Sequence, residues 1–334
     1  MDHVLSVPPW VWGTTLTITA LLFIFDFVAH VRKPHAPSLK EAAWWSLFFI
    51  LLAVAFGIGL GLIAGQRYGS EFFAGFVTEK SLSVDNLFVF ALIMGRFSIP
   101  DAYQQKALLI GIGLALVLRG LLIAVGAAAL EHYSWLFYLF GLFLIYSAIK
   151  LIIEHVAHND EEQAPAILTW LQRHLPITEQ LHGTRLLVRT SGESHKRRWL
   201  ATPMMAVIIA LGLTDILFAF DSIPAIYGLT SSAYIVFTTN AFALLGLLQL
   251  YFLLNGLMAK LYYLGIGLSC LLAFIGIKLV FHALHQNTLP FINGGESVHW
   301  APDIGTGLSL AIIVSILVVT VALSLLKSRA SSRQ

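Results

Sequence analysis

The chain has 334 residues, 58% of them hydrophobic and 11% charged, with a formal net charge of +2 and a mean hydropathy of +0.82. That composition excludes an ordinary soluble domain and fits a chain embedded largely in lipid. A near-neutral charge offers nucleic acid no footing, and a single cysteine, Cys270, cannot close an internal disulfide.

Apolar runs long enough to cross about 30 Å of hydrocarbon predict nine spans, at 10–31, 44–65, 72–94, 105–128, 133–154, 202–225, 233–254, 260–281 and 305–326. The first follows a stretch, Met1 to Pro9, without Lys or Arg, so no cleavable signal peptide is expected; it carries Asp26 near its inner end. The second has no ionisable residue. The third carries Thr78, Glu79, Lys80, Asp85 and Asn86, the fourth Arg119, and the fifth closes near Lys150. A polar segment from His155 to Trp199 comes next, with His155, His158, Asp160, Glu161 and Glu162, then His174, His182 and His195, then Lys196-Arg197-Arg198. Its histidines and acids read as solvated surface, and its basic run as a headgroup anchor. The sixth span holds Thr214, Asp215, Asp221, Ser222 and Pro224, the seventh Asn240, and the eighth Cys270, a small packing residue, and Lys278. His282, His285 and His299 follow as surface residues, with a low-affinity release site as the alternative. The ninth span again has no ionisable residue.

If these spans alternate, 16 basic residues fall on one side, Arg67 alone on the other, and Lys80, Arg119 and Lys278 within spans. Lys and Arg concentrate on the cytoplasmic side, so the expected topology is a multi-pass protein of the cytoplasmic membrane with its N-terminus outside and C-terminus inside.

Thr78-Glu79 and Asp85-Asn86 recur as Thr214-Asp215 and Asp221-Ser222, offset by 136 residues at all four positions. Three spans separate the copies, so they cross in opposite directions. The closing text also repeats: Ile145 to Leu151 resembles Phe274 to Leu279, each ending in Lys-Leu. The expected fold is therefore an all-α membrane protein of nine transmembrane helices with a 3+3 inverted repeat, a common transporter design. Its parts are 1–71 (helices 1–2), 72–154 (repeat 1), 155–200 (cytoplasmic loop), 201–281 (repeat 2) and 282–334 (external loop, helix 9 and tail).

Acids buried in a span are costly and mark function. Asp26, Glu79, Asp85, Asp215 and Asp221 against Lys80, Arg119 and Lys278 leave two surplus negative charges in the spans, which suits a divalent cation. Carboxylate, amide and hydroxyl oxygens without a cysteine pair are hard ligands, favouring Mn, Mg or Ca over Zn or Cu. Thr78, Thr214 and Ser222 would add hydroxyls. Glu79 and Asp85, about 600° apart around a regular helix and about 9 Å along it, point to different sides. Either each lines a different part of one pathway, or the helix breaks near Ser81 and Ser83, or near Pro224; a break in at least one copy is the favoured expectation. The competing reading of the charges is an internal salt bridge such as Arg119 with a carboxylate, and for Asp26 it has equal weight.

Glu79 to Val89 (EKSLSVDNLFV) and Phe218 to Ile226 (FAFDSIPAI), with Thr239 to Leu247 and Ala201-Thr202-Pro203, resemble the TerC family of integral membrane proteins, and more closely its Alx-type bacterial members. The resemblance covers most of the chain. It implies nine helices of the LysE-like transporter superfamily, a role in manganese homeostasis and export, and a historical association with tellurium resistance. Carried onto this chain it implies Glu79, Asp85, Asn86, Asp215, Asp221 and Asn240 as ion-binding residues, with Asp26, Lys80, Arg119, Lys150 and Lys278 as coupling or structural charges. Gly212 stands where the family pattern has Glu, and Gln249 where it has Arg.

The expected function is a divalent cation transporter, foremost a manganese exporter, with Mn2+ as cargo, no resident cofactor, lipids and a second copy as possible partners, and a proton gradient as driving force, since no Walker motif is present. No His-Glu-x-x-His or Gly-x-Ser-x-Gly pattern suggests an enzyme. The alternative is a membrane scaffold or insertion helper whose buried acids are structural.

Overall fold

Helix-forming apolar runs punctuated by caps dictate the architecture. The computed structural model describes residues 7–31, 37–133, 135–156, 177–178, 183–191, 197–254, 263–287, 289–290, 292–298, 300–302 and 304–331. They form α1 (Pro9–Val31), α2 (Leu39–Ile63), α3 (Gln66–Arg96), α4 (Asp101–His132), α5 (Leu136–Val156), β1 (Leu187–Ser191), β2 (Arg197–Ala201), α6 (Pro203–Tyr227), α7 (Ala233–Leu244), α8 (Leu247–Leu254), α9 (Leu264–His285) and α10 (Thr306–Ser331). Among the described residues, seven helices are long and apolar enough to cross a membrane, and α7 with α8, bent by 42°, makes an eighth candidate span. The 31-residue α3 is kept off that count by Arg67, Glu71, Glu79, Lys80, Asp85 and Arg96.

Local chemistry sets the ends. Ser38 accepts from the Glu41 amide at 3.2 Å, with Glu41 in the first turn of α2, the arrangement of a capping box. Thr202 accepts from the Met205 amide at 3.3 Å, and Pro203 fills the first position of α6, where a missing N–H costs nothing. Gly65, at φ +118, turns α2 into α3.

The expected breaks in the acid-bearing helices do not occur: α3 and α6 are continuous. Ser81 returns its hydroxyl to the Val77 carbonyl at 2.6 Å, and Pro224 lies within the last turn of α6, where it deprives the Phe220 carbonyl of its donor but leaves only three helical residues beyond it to bend. The chain breaks instead between α7 and α8, where Leu245 is extended and Gly246 takes φ +78 against the Phe49 side chain, 3.0 Å from where a Cβ would stand. A β-branched residue is strained there. Gly246→Val is expected to lower stability by about 2 kcal/mol, read as a lower unfolding temperature of the detergent-solubilised protein; an unchanged temperature would mean the break does not need glycine.

A second departure from the all-α expectation lies in the loop after α5, where β1 and β2 pair antiparallel, Leu187 opposite Ala201 and Ser191 opposite Arg197. Val188, Thr190 and Trp199 favour strand, a local signal masked by the segment's overall polarity. His158, Asp160, Glu161, Glu162, His174, His182, His195 and His299 lie outside the described residues.

Packing is orderly. α3 lies against α7 and α6, α4 against α6 and α7, and α5 against α9. The crossings use small residues: a Cβ at Gly75 would come 2.9 Å from Thr239, one at Gly111 3.0 Å from Leu211, and one at Gly141 2.9 Å from the Gly276 carbonyl. Phe90, Ile93, Leu108, Ile112, Val207 and Leu211 fill the core between α3, α4 and α6.

Candidate functional site: a buried charge cluster

Glu79 is thirteen residues into α3 and Asp215 twelve into α6, so each lies about 18–20 Å along its helix from the start. α4 runs between them and supplies Arg119, which is fully buried, as are Glu79 and Asp215. The guanidinium forks onto Asp215, with Nε donating to Oδ2 at 2.7 Å and Nη2 to Oδ1 at 2.8 Å. Its Nη1 donates to Glu79 Oε1, to Asn240 Oδ1 at 2.9 Å and to Ser222 Oγ at 3.4 Å. Asn240 is oriented in turn by donating to the Val236 carbonyl at 2.9 Å. One cation from α4 thus gathers oxygens from α3, α6 and α7, the bidentate geometry that arginine offers and lysine does not.

Of the sequence-predicted residues, Glu79, Arg119, Asp215, Ser222 and Asn240 come together. Among the described residues no three of His, Cys, Asp and Glu converge as a preformed metal site; the acids converge on Arg119 instead. The Thr78, Thr214 and Ser83 hydroxyls and Glu79 Oε2 are buried and have no hydrogen-bond partner among the described residues, so both acid-bearing helices carry unused hard oxygens. Asn86 is buried on α3, and the side chain of Asp85 lies outside the described residues.

The remaining charges stand apart. Asp221, one and a half turns beyond Asp215, accepts from Ser147 of α5 at 2.8 Å. Asp26 accepts from Gln249 Nε2 at 3.0 Å, tying α1 to α8, so a neutral side chain meets a buried acid there. Lys80 donates to the Ala243 carbonyl at 3.0 Å, capping the end of α7, where a cation suits the exposed carbonyls. Lys150 is exposed on α5. At Gly212 a Cβ would come 2.5 Å from Leu114, so any larger residue there would displace that side chain.

Sequence reasoning missed Glu71, which the predicted start of the third span left out; it is 3% exposed and bonds Arg67 at 2.9 Å and Thr230 at 2.6 Å. These residues border a cavity of about 450 Å3 that also takes in Lys278, His282 and Thr306. His285 contacts the Phe281 carbonyl. Ser147 and Gln249 were also unmarked as partners, since neither is ionisable.

The family described as Integral membrane protein TerC matches residues 64–332. An uncharacterized membrane protein of Mycobacterium tuberculosis (strain H37Rv) is 43% identical over 322 residues, 96% of this chain and 80% of that protein. One from Myxococcus xanthus is 36% identical over 321 residues, 96% and 93% of the two chains. The Escherichia coli K12 protein named "Putative membrane-bound redox modulator Alx" is 34% identical over 281 residues, 81% and 86%. No solved structure matches.

Proposed function

The chain belongs to the TerC family of integral membrane proteins, and from that premise we propose that it carries a divalent metal cation, foremost manganese, out across the cytoplasmic membrane. The observation that carries the reading is the convergence of Glu79, Asp215, Asn240 and Ser222, all buried, with the unused oxygens of Thr78, Thr214 and Ser83 on the same two acid-bearing helices. Hard oxygen donors from several helices are what Mn2+, Mg2+ or Ca2+ require. A redox function, as the Alx relative's name would suggest, finds one cysteine only, Cys270, which is exposed on α9 and not the packed core residue that its apolar surroundings in sequence implied.

The architecture of this reading is nine spans, with α3 counted despite its charges, and two three-helix units crossing in opposite senses. Packing supports it: Gly75 and Leu211 are 136 residues apart, Gly111 and Thr239 are 128 apart as are Lys150 and Lys278, and the contact of Gly75 with Thr239 exchanges into that of Leu211 with Gly111. Continuous helices favour the pathway alternative for the acids. Asp85 then lies about 9 Å inward of Glu79 and Asp221 about 9 Å outward of Asp215, one on each side of the central cluster. Arg119 balances one of the two central acids, and a proton would cover the other when the metal has left, which fits export against a proton gradient.

Asp221 gives the cleanest test, because it lies outside the Arg119 network. Asp221→Asn is expected to abolish manganese efflux from loaded cells while leaving membrane insertion and unfolding temperature unchanged, since a carboxamide still accepts from Ser147. Asp85→Asn is expected to do the same. Normal efflux in both would sink the assignment of these acids to the pathway. No manganese efflux by the wild type would favour the second reading, a scaffold or insertion helper, which the closed Arg119 ion-pair network supports as a purely structural feature.

Orientation has its own test. In a Cys270→Ser background, single cysteines placed in residues 284–303 should react with an impermeant thiol reagent from outside, and a tag after Gln334 should be protected. Both reacting from one face would mean an even number of spans.

A further inference from the structure

The geometry points to Arg119 as a tethered surrogate for the transported cation, a role that rests on the transport reading above. Every strong acceptor the guanidinium uses is one a metal would need: both oxygens of Asp215, Oε1 of Glu79, Oδ1 of Asn240 and the hydroxyl of Ser222. These come from α3, α6 and α7, whereas Arg119 comes from α4, whose own acids, Asp101 and Glu131, lie at its ends. The side chain is fully buried and stays charged at any physiological pH. One guanidinium and one divalent ion cannot share two carboxylates in a low-dielectric site without severe repulsion. Occupancy by metal and by Arg119 is therefore mutually exclusive.

Exclusion of this kind gives the protein a closed state that needs no cargo. Two bare carboxylates facing each other in the membrane interior would be prohibitively costly, and an empty carrier lacking a substitute cation would be trapped in whichever state solvates them. With Arg119 in place, α3, α4, α6 and α7 are drawn together around its guanidinium. Loading requires the guanidinium to withdraw, and unloading is driven by its return. Arg119 is thus a positioning and competing group, whose removal should strengthen metal binding and at the same time slow the net cycle. A permanent structural ion pair predicts neither.

The test uses the full-length protein purified in detergent and reconstituted in proteoliposomes, with Mn2+ as the only probe. Wild type, Arg119→Gln and Arg119→Lys are compared for equilibrium Mn2+ binding, net Mn2+ efflux and Mn2+/Mn2+ exchange. Arg119→Gln is expected to bind Mn2+ about tenfold tighter or more, a coupling of ordinary size, and to retain exchange while net efflux falls about tenfold or more. Arg119→Lys, which keeps the charge and loses the fork, should fall between and carries the test if Arg119→Gln does not fold. Unchanged or weaker binding in a folded variant, with wild-type efflux intact, overturns the surrogate role alone. No Mn2+ binding or flux in wild type and in both variants overturns the transport reading together with it.

Discussion

Asp215→Asn is expected to reduce manganese efflux to the level of cells lacking the protein and also to destabilise the fold by about 3–5 kcal/mol, the range for removing one partner of a buried ion pair. The two effects share one cause. Asp215 holds both Nε and Nη2 of Arg119, and a carboxamide can accept only one of those bonds while turning an NH2 group toward the other donor. The buried guanidinium then has Glu79 as its one remaining anion. Efflux from manganese-loaded cells and thermal unfolding in detergent read the two effects separately. Loss of efflux with full stability would mean that Arg119 re-pairs elsewhere, and full efflux would remove Asp215 from the pathway.

Gly141→Val carries the second largest expected effect, although it touches no charge. α5 and α9 cross with their backbones in contact: a Cβ at Gly141 would stand 2.9 Å from the Gly276 carbonyl and 3.1 Å from the Val280 amide, and a Cβ at Gly276 would stand 2.8 Å from the Gly141 carbonyl. Backbone cannot rotate away as a side chain can. The helices must separate, exposing the packing of Leu144, Ala148, Leu272, Ile275 and Leu279. A loss of about 3 kcal/mol or more is expected, at the upper end for overpacking, seen as little folded protein after membrane extraction. Gly13→Val, where a Cβ meets nothing within 4 Å, serves as the control and should extract normally.

The long helices were legible because span length is dictated by hydrocarbon thickness, and runs such as 233–254 and 305–326 coincide with α7–α8 and α10 to within a few residues. The break was legible in kind and misplaced in position. Proline and serine drew attention to α3 and α6, yet Pro224 sits so near the end of α6 that losing its bond to the Phe220 carbonyl leaves only three helical residues to bend, whereas Gly246 marked a positive φ inside an apolar run. The centre of the candidate site was half legible. The repeat singled out Glu79 and Asp215 at an offset of 136, but that offset pairs Arg119 with Asn255, and the 128 that pairs Gly111 with Thr239 pairs it with Leu247, so neither periodicity gives a counterpart to the residue that binds the acids. Only the packing of α4 between α3 and α6 shows that the lone arginine of the fourth span closes the site. Glu71 stayed hidden because hydropathy starts a span where charge stops, and α3 begins well before that point.

Consecutive residues of α3 are fastened to different parts of the molecule. Glu79 is bonded to the fourth helix, and Lys80, about 100° around the same turn, holds the Ala243 carbonyl just before the bend. α3 therefore ties the two regions together. Rotating it enough to swing Glu79 off the arginine would have to either pull Ala243 along or release it, which links the central acid to the bend between α7 and α8, some 160 residues away in sequence and one side chain away in space.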